Sequence, residues 1–455
     1  MKVWTKISFI AVLALSLILS ACSSESGSKE QEKDGKITLN AVYLGASWGE
    51  ATKELAKEYE KETGVKINVE LVGRDAIHQK LALAIAGKND YDLFNIDYPW
   101  VPEFAASGSL YPLDDLIKKN NVDTSKYLPR ALALTQWNGK NGEFGEGGEI
   151  YGLPQTIHPH LLWYRSDLFN DVKMKADFKA EYGYDLAPPK TMKEFQDMAK
   201  YFHGKTFDGQ KLSGWAAQAS KGFGNVHTWL SFLYSNGADV IDWGSMKSSL
   251  STPEAIEATK TWANLLKYSP PGINDYTFAE VAADASAGKL AMAIHWSWSA
   301  FEVDDPSKSK TVGKWEFAPI PKMKDSVAHL AGWPVVIPKT SKHPEEAFKF
   351  LVWLENKEND VRQAEMGAGD PVRSESYQDP KLADLKIEGT NVKKFRRYEA
   401  LEEAMKTTKA RPFFPQEEKW ESTVSEYLSA IQTGDMDVEE ALKKADDAVN
   451  QIISK

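Results

Sequence analysis

The sequence predicts an α/β fold with more than one domain, for two reasons. The chain has 455 residues, a length that fits about two to three domains. From residue 37 onward, apolar and β-branched runs of strand length alternate with segments in which apolar residues recur at helical spacing. Such alternation is typical of a mostly parallel sheet with helices on both faces. In these sheets, ligands bind beyond the carboxyl ends of the strands.

The N-terminal third shows this alternation most clearly. Apolar runs predict strands at 37–44, 66–72 and 91–96. A helix is predicted after each strand, and each helix ends at a glycine: Gly64, Gly87 and Gly108. The spacing of Ser47 and Glu50 predicts a capping box at the start of the first helix. The loops at 45–49 and 97–100 therefore lie at strand ends, where a ligand is expected.

The rest of the chain continues in the same way. A long apolar run at 151–164 predicts a crossing strand, and strands are also predicted at 290–295 and 329–338. Helix starts are indicated by Thr191 with Glu194 and by Thr252 before Pro253. A loop or short helix is expected at 297–301, a helix at 345–354, and helices through about the last 60 residues.

Charge and motifs exclude several classes of function. Lys and Arg total 55 against 65 Asp and Glu, a formal net charge of -10, and no basic stripe offsets it. We therefore expect no nucleic-acid partner. The sequence has no Gly-x-Ser-x-Gly elbow, no His-Glu-x-x-His helix and no dinucleotide fingerprint. We expect no catalytic residue, no cofactor and no metal.

Cys22 is the single cysteine, and its position predicts a lipid anchor. Lys2 and Lys6 precede an apolar run of about 15 residues, shorter than the ~20 that a spanning helix needs. The run ends at Leu-Ser-Ala-Cys, which resembles the bacterial lipoprotein signal box. Residues 1–21 are then a signal peptide, Cys22 carries a diacylglycerol, and residues 22–36 form a flexible tether. The alternative is an ordinary secretory signal with an incidental cysteine.

Five segments in fixed order resemble family 1 extracellular solute-binding proteins, which include receptors for maltose and oligosaccharides. These segments are 91–97 (YDLFNID), 151–154 with 162–169 (YGLP, LWYRSDLF), 288–292 with 295–298 (GKLAM, HWSW), 332–338 (GWPVVIP) and 371–373 (PVR). Each segment is weak evidence by itself. Their order and spacing, downstream of a lipoprotein signal, make the resemblance specific.

The resemblance implies a two-lobed periplasmic-binding-protein-like fold with the ligand in a cleft between lobes joined by hinge crossings. Lobe 1 would comprise residues 37–152 and 328–368, and lobe 2 residues 153–327 and 369–455. It also implies a monomer on the outer face of the bacterial cytoplasmic membrane. There it would capture a mono- or oligosaccharide by closing its lobes and deliver the sugar to the permease subunits of an ABC transporter.

Aromatic rings and polar groups at strand ends are the candidate ligand contacts. An indole matches the apolar face of a sugar, and carboxylate, Arg or His side chains match its hydroxyls. The candidates are Trp48, Asp97, Trp100, His158, Trp296, Trp298, Trp333 and Arg373. Each tryptophan could instead be a core ring, and Asp97 could merely cap the helix that follows it.

The sequence departs from the family pattern around His158. Sugar-binding relatives often have an acidic residue in this region, where the chain reads Gln155 to His160. His158 could replace that carboxylate as a hydroxyl partner. His158 and His160 are also spaced like metal ligands on one side of a strand, with His295 and His329 as further histidines. The open alternatives are a glycoside-binding hydrolase and a receptor of the same fold for a polyamine or a metal ion.

Overall fold

The structure is a computed structural model that describes residues 37–454. The predicted signal peptide, Cys22 and the predicted tether lie outside this range. Within residues 37–454, no helix combines the length and the apolar character that crossing a membrane requires.

The strands alternate with helices along the chain, as predicted. The strands are β1 (Thr38–Leu44), β2 (Lys66–Val72), β3 (Leu93–Asn95), β4 (Gln136–Trp137), β5 (Glu149–Ile150), β6 (Gly152–Arg165), β7 (Thr206–Phe207), β8 (Gln210–Lys211), β9 (Ser213–Ala216), β10 (Ile241–Asp242), β11 (Lys247–Ser248), β12 (Leu290–Trp296), β13 (Trp315–Ala318) and β14 (Leu330–Val336).

The helices fill the intervals between the strands and form most of the C-terminal part. They are α1 (Ser47–Thr63), α2 (Arg74–Ile85), α3 (Trp100–Ala106), α4 (Asp114–Lys119), α5 (Pro129–Ala133), α6 (Ser166–Asn170), α7 (Val172–Tyr182), α8 (Met192–Phe202), α9 (Phe223–Ser235), α10 (Pro253–Leu265), α11 (Phe278–Ser286), α12 (Pro344–Leu354), α13 (Lys357–Glu365), α14 (Pro380–Ala383), α15 (Tyr398–Ala404), α16 (Glu417–Thr433) and α17 (Val438–Ile453). Short 3₁₀ helices also occur, one of them at Trp298–Asp304.

An eight-stranded mixed sheet organises the fold. Seven strands follow the order β2-β1-β3-β14-β6-β12-β9, and β13 pairs with β6 outside this path. Pairs at the two ends are parallel, but β14 runs antiparallel to both β3 and β6, and β12 and β13 run antiparallel to β6. The prediction of a mostly parallel sheet is therefore wrong for the middle of the sheet. Strand β14 runs opposite to both of its neighbours, β3 and β6, and the 14-residue strand β6 pairs with β14 in its first half and with β12 in its second.

Helix-start predictions had mixed outcomes. The capping box of Thr191 and Glu194 is present, and Thr252 caps α10. The predicted box at Ser47 is wrong, because Ala46 occupies the cap position and Ser47 is already the first helical residue. The hydroxyl of Ser47 is buried and has no hydrogen-bond partner among the described residues.

Two hydrophobic cores flank the middle of the sheet. The first core contains residues of β1, α1, β3 and α12, and the second contains residues of α8, α9, α10, α16 and α17. Strand β6 contributes Leu153 and Ile157 to the first core and Leu161 to Trp163 to the second. The exact lobe boundaries given above stay a prediction. Val361 and Ala364 pack in the second core, whereas Ala410 and Phe413 pack in the first.

Candidate functional site

Three parallel strand ends bring residues from the N-terminal part to one edge of the sheet. Strands β1 and β2 end just before the turns that lead to Trp48 and Arg74, and Asp97 follows β3. The turn after β1 is tight, since a Cβ at Gly49 would lie 2.2 Å from the carbonyl oxygen of Leu44. This approach brings the start of α1, with Trp48, against the strand end. Asn95 accepts a hydrogen bond from the Trp48 indole (3.0 Å) and fixes that ring.

Elements from the middle of the chain face this edge and, together with it, line a partly open cavity of about 470 Å³. Its wall on that side is formed by His158 of β6, Trp296 of β12, Trp298 of the 3₁₀ turn, and Phe223 and His227 of α9. Phe278 and Trp333 complete the aromatic part of the lining, and Ala331 adds a small apolar contact. The cavity is thus built from segments that lie far apart in sequence.

The aromatic rings touch one another around the cavity. The ring centroids of Trp48 and Trp298 lie 5.3 Å apart at 88°, and those of Trp48 and Trp333 lie 5.8 Å apart at 40°. His158 lies 5.2 Å from Trp296 and 5.9 Å from Trp48. The walls therefore present apolar ring faces in several orientations, which suits a ligand with apolar C–H faces on more than one side.

A buried ion network borders the cavity on its polar side. Arg74 bonds to Asp97 (3.0 Å) and to Glu421 (3.1 Å), and Arg411 bonds to Asp97 (2.6 Å) and also to Glu421. Burial alone would raise the pKa of the Asp97 carboxyl, but the Arg411 and Arg74 guanidinium groups lower it below its usual value. Asp97 is therefore ionised and held by two cations. It is unsuited to act as a general acid.

Neutral histidines surround Trp296. The imidazoles of His158, His160, His227 and His329 all lie within 5.6 Å of its ring, measured between centroids. Burial lowers the pKa of His158 to about 3, and it also lowers the pKa of His160, His227 and His329. At neutral pH these rings carry no charge, so His158 can donate or accept a hydrogen bond without adding charge to the cavity.

One acidic cluster in residues 37–454 has the spacing of a metal site. Oxygens of Glu417, Glu418 and Glu421 lie within 4.8 Å of one another, and the histidines around Trp296 are not part of this group. Arg74 and Arg411 already pair with these carboxylates. Two fixed cations at this position oppose a metal ion at the three glutamates.

Comparison with protein families identifies the chain. The model of the bacterial extracellular solute-binding proteins matches residues 45–361, which is more than half of the sequence. The chain belongs to this family. Its predicted family membership is thereby confirmed, and the family consists of binding proteins found outside the cytoplasm.

Relatives and solved structures agree with this assignment. The solute-binding chain is 26% identical over 380 residues to a probable ABC transporter-binding protein of Deinococcus radiodurans, covering 82% of each chain. It is 24% identical to a maltooligosaccharide ABC transporter solute-binding lipoprotein of Streptococcus pneumoniae, covering 75% of this chain and 74% of the other. An ABC transporter solute-binding protein of Agrobacterium radiobacter, solved with ribitol, superposes with a TM-score of 0.77 at 22% identity, covering 91% and 98%. The two-lobed fold is confirmed.

Six of the eight residues proposed from the sequence line the cavity of this solute-binding protein: Trp48, Asp97, His158, Trp296, Trp298 and Trp333. Their role in binding stays a prediction. The structure places the other two elsewhere. Trp100 lies under Arg74 and donates its indole N–H to Glu418 (2.8 Å). Arg373 pairs with Glu375 and stacks on Tyr127.

The sequence reasoning missed Arg74, Phe223, His227 and Phe278 as lining residues. Arg74 could have been found, because it follows strand β2 just as Asp97 follows β3. Phe223 and His227 lie one helical turn apart on α9, and nothing local shows which face of that helix meets the cavity. Only the tertiary packing of α9 brings these two side chains there.

Proposed function

We propose that this chain is the substrate-binding component of an ABC importer and that it captures a carbohydrate between its two lobes. The cavity carries the proposal, since six Trp and Phe rings line it and a fixed guanidinium–carboxylate pair lies at its border. Aromatic faces pack on sugar C–H groups, and planar charged groups bond to hydroxyls. The relatives named as binding maltooligosaccharide and ribitol support the same class of ligand.

Closure of the lobes would enclose the ligand. Lobe 1 would take residues 37–152 and 328–368, and lobe 2 residues 153–327 and 369–455, so the chain would cross at the start of β6, just before β14 and after residue 368. The two hydrophobic cores on either side of these crossings support such a division. A ligand shifts the equilibrium only by its preference for the closed form, so residues that touch it from both lobes matter most.

We further propose a lipid anchor at Cys22, release of the ligand to membrane permease subunits, a monomeric state, and the absence of catalysis. The lipoprotein signal and the pneumococcal relative described as a lipoprotein support the anchor. The locked state of Asp97 between Arg74 and Arg411 argues against glycoside hydrolysis at this cavity, because that reaction requires a carboxylic acid that can give up a proton.

The test is a thermal-shift and calorimetric screen of the purified protein with mono- and oligosaccharides and polyols, with Zn²⁺ and spermidine as controls. We expect stoichiometric binding of a carbohydrate, which is recovered intact after long incubation. Tight binding of Zn²⁺ or spermidine alone would reject the carbohydrate assignment. Steady release of a cleaved product, abolished by one carboxylate substitution, would instead identify a hydrolase.

A further inference from the structure

We propose that Asp370 is a positioning residue for ligand binding, which holds Ser297 and thereby fixes the Trp298 ring in the cavity wall. This inference rests on the proposed function, because it presupposes that the cavity binds a carbohydrate. Asp370 is not among the residues that line the cavity. Its effect on a ligand therefore depends on the contacts that connect it to Trp298.

The segment 367–370 belongs to a passage of the chain between the two hydrophobic cores. Ala364 packs in the second core, whereas Ala368 packs in the first. Gly369 has a φ of +116°, a conformation in which a side chain would be strained. Gly369 also approaches β6 closely, since a Cβ at this position would lie 2.3 Å from the Thr156 hydroxyl oxygen. These contacts give the segment a defined path against β6.

The Asp370 carboxylate connects this segment to the aromatic wall and to the second core. Its Oδ2 atom accepts a hydrogen bond from the Ser297 hydroxyl, and its Oδ1 atom accepts two from Arg397 (3.0 and 2.8 Å). The Arg397 guanidinium lies 5.4 and 4.9 Å from the ring centroids of Phe395 and Tyr398, which pack in the second core. Ser297, Asp370 and Arg397 are all buried, so the loss of one partner is not compensated by bulk water.

The segment contacts a residue on each side of Trp298. Ser297 immediately precedes Trp298 and occupies the cap position of its 3₁₀ turn. On the other side, the ring centroid of Phe301 lies 6.2 Å from that of Trp298, and a Cβ at Gly367 would lie 3.0 Å from the Phe301 ring. A ring that is already held in the orientation that the ligand requires loses less freedom on binding, which strengthens binding.

Calorimetry with paired serine variants tests the inference. The probe is the carbohydrate that binds the wild type most tightly in the screen above, beginning with maltose, maltotriose and ribitol. Ser297→Ala removes only the hydroxyl that donates to Asp370, and it should raise the Kd about 10-fold, the scale of one hydrogen bond to a charged group. Ser299→Ala is the matched control, because Ser299 is equally buried in the same turn but donates to Glu302 (2.9 Å). It should leave the Kd unchanged.

Two double variants distinguish positioning from a purely structural role. In the Trp298→Ala background, Ser297→Ala should cause no further loss of affinity, because its effect passes through the missing ring. Asp370→Asn should weaken binding at least as much as Ser297→Ala, and combining these two substitutions should add nothing. A residue with a purely structural role would instead add its effect to that of the other substitution. Circular dichroism checks that each variant is folded at the temperature of the titration.

The outcomes separate this inference from the proposed function. A folded Ser297→Ala variant with the wild-type Kd would overturn the inference and leave the proposed function intact. Additive losses in either double variant would also overturn it, because Ser297 would then act independently of Trp298 or of Asp370. A folded wild-type protein that binds no carbohydrate in the screen would reject the proposed function and the inference with it.

Discussion

Replacing His295 should make folding less sensitive to acid. His295 lies on β12, is fully buried, and packs against Trp163 at 5.0 Å between ring centroids. Burial lowers its pKa to about 3, and the smaller opposing effect of the Phe278 backbone does not offset it. The native state therefore keeps this ring neutral at a pH where the unfolded chain protonates it.

The size of the effect follows from linkage. The pKa is about 3 in the native state and about 6.5 in the unfolded chain, so the neutral ring contributes stability above pH 6.5. That contribution is lost progressively as the pH falls from 6.5 toward 3, at about 1.4 kcal/mol per pH unit. At pH 5 the wild type has lost about 2 kcal/mol through this one residue. His295→Leu removes the titration and with it this loss.

The assay is urea unfolding followed by tryptophan fluorescence at pH 7.5, 6.5, 5.5 and 5.0, at constant ionic strength. The substitution also changes packing, which alters the unfolding free energy by a constant amount at every pH. The informative quantity is therefore how the difference in unfolding free energy between variant and wild type changes with pH. That difference should move by about 2 kcal/mol in favour of the variant between pH 7.5 and pH 5. The control is Ile294→Val on the same strand, which changes packing without removing a titratable group, so its difference from the wild type should not change with pH. Parallel curves for wild type and His295→Leu would refute the reasoning.

Four further predictions concern the anchor, the cavity and its surroundings. Cys22→Ser should move the protein from the membrane fraction into the medium or periplasm, and unchanged partition on cell fractionation would contradict the lipid anchor. Trp298→Ala and Trp333→Ala should each weaken carbohydrate binding by about 1–3 kcal/mol in calorimetry. In urea unfolding, each should lower the unfolding free energy by less than the ~3–5 kcal/mol that the loss of a core tryptophan costs. Arg411→Met should lower the unfolding free energy by about 3–5 kcal/mol, because it leaves buried carboxylates with one cation fewer. An unfolding free energy close to that of the wild type in urea would contradict this prediction. Trp100→Leu should lower both stability and affinity, and a loss confined to stability would show that Trp100 does not position Arg74.

The parallel part of the sheet explains why much of the site was predictable. Trp48 and Asp97 follow strands β1 and β3, whose periodicity is clear in the sequence, and parallel strands end at the same edge. Local chemistry also identified the capping box at Thr191, where Glu194 completes the motif. The same spacing failed at Ser47, because the helix starts one residue earlier than the motif assumes. A spacing pattern does not specify which residue occupies the cap position.

The unpredicted features depend on contacts that are distant in sequence. The antiparallel pairing of β14 with β3 and β6 joins segments about 170 to 240 residues apart, and no local pattern encodes it. The ion network has the same character, since Arg411 reaches Asp97 across 314 positions of the chain. Arg373 was expected near the ligand from a short motif, yet its partners Glu375 and Tyr127 hold it elsewhere.

Burial by itself does not separate ligand contacts from core residues in this fold. Trp100 is 1% exposed and Trp298 is 5% exposed, yet only Trp298 lines the cavity. The two tryptophans differ in the groups that their rings contact. The Arg74 guanidinium lies 4.8 Å above the Trp100 ring, whose N–H bonds to Glu418, and Glu418 in turn bonds to Arg74. Trp100 therefore lies one layer behind the cavity wall and fixes Arg74 from two directions. The sequence analysis correctly located Trp100 after the end of β3. Any effect of Trp100 on a ligand must act through Arg74.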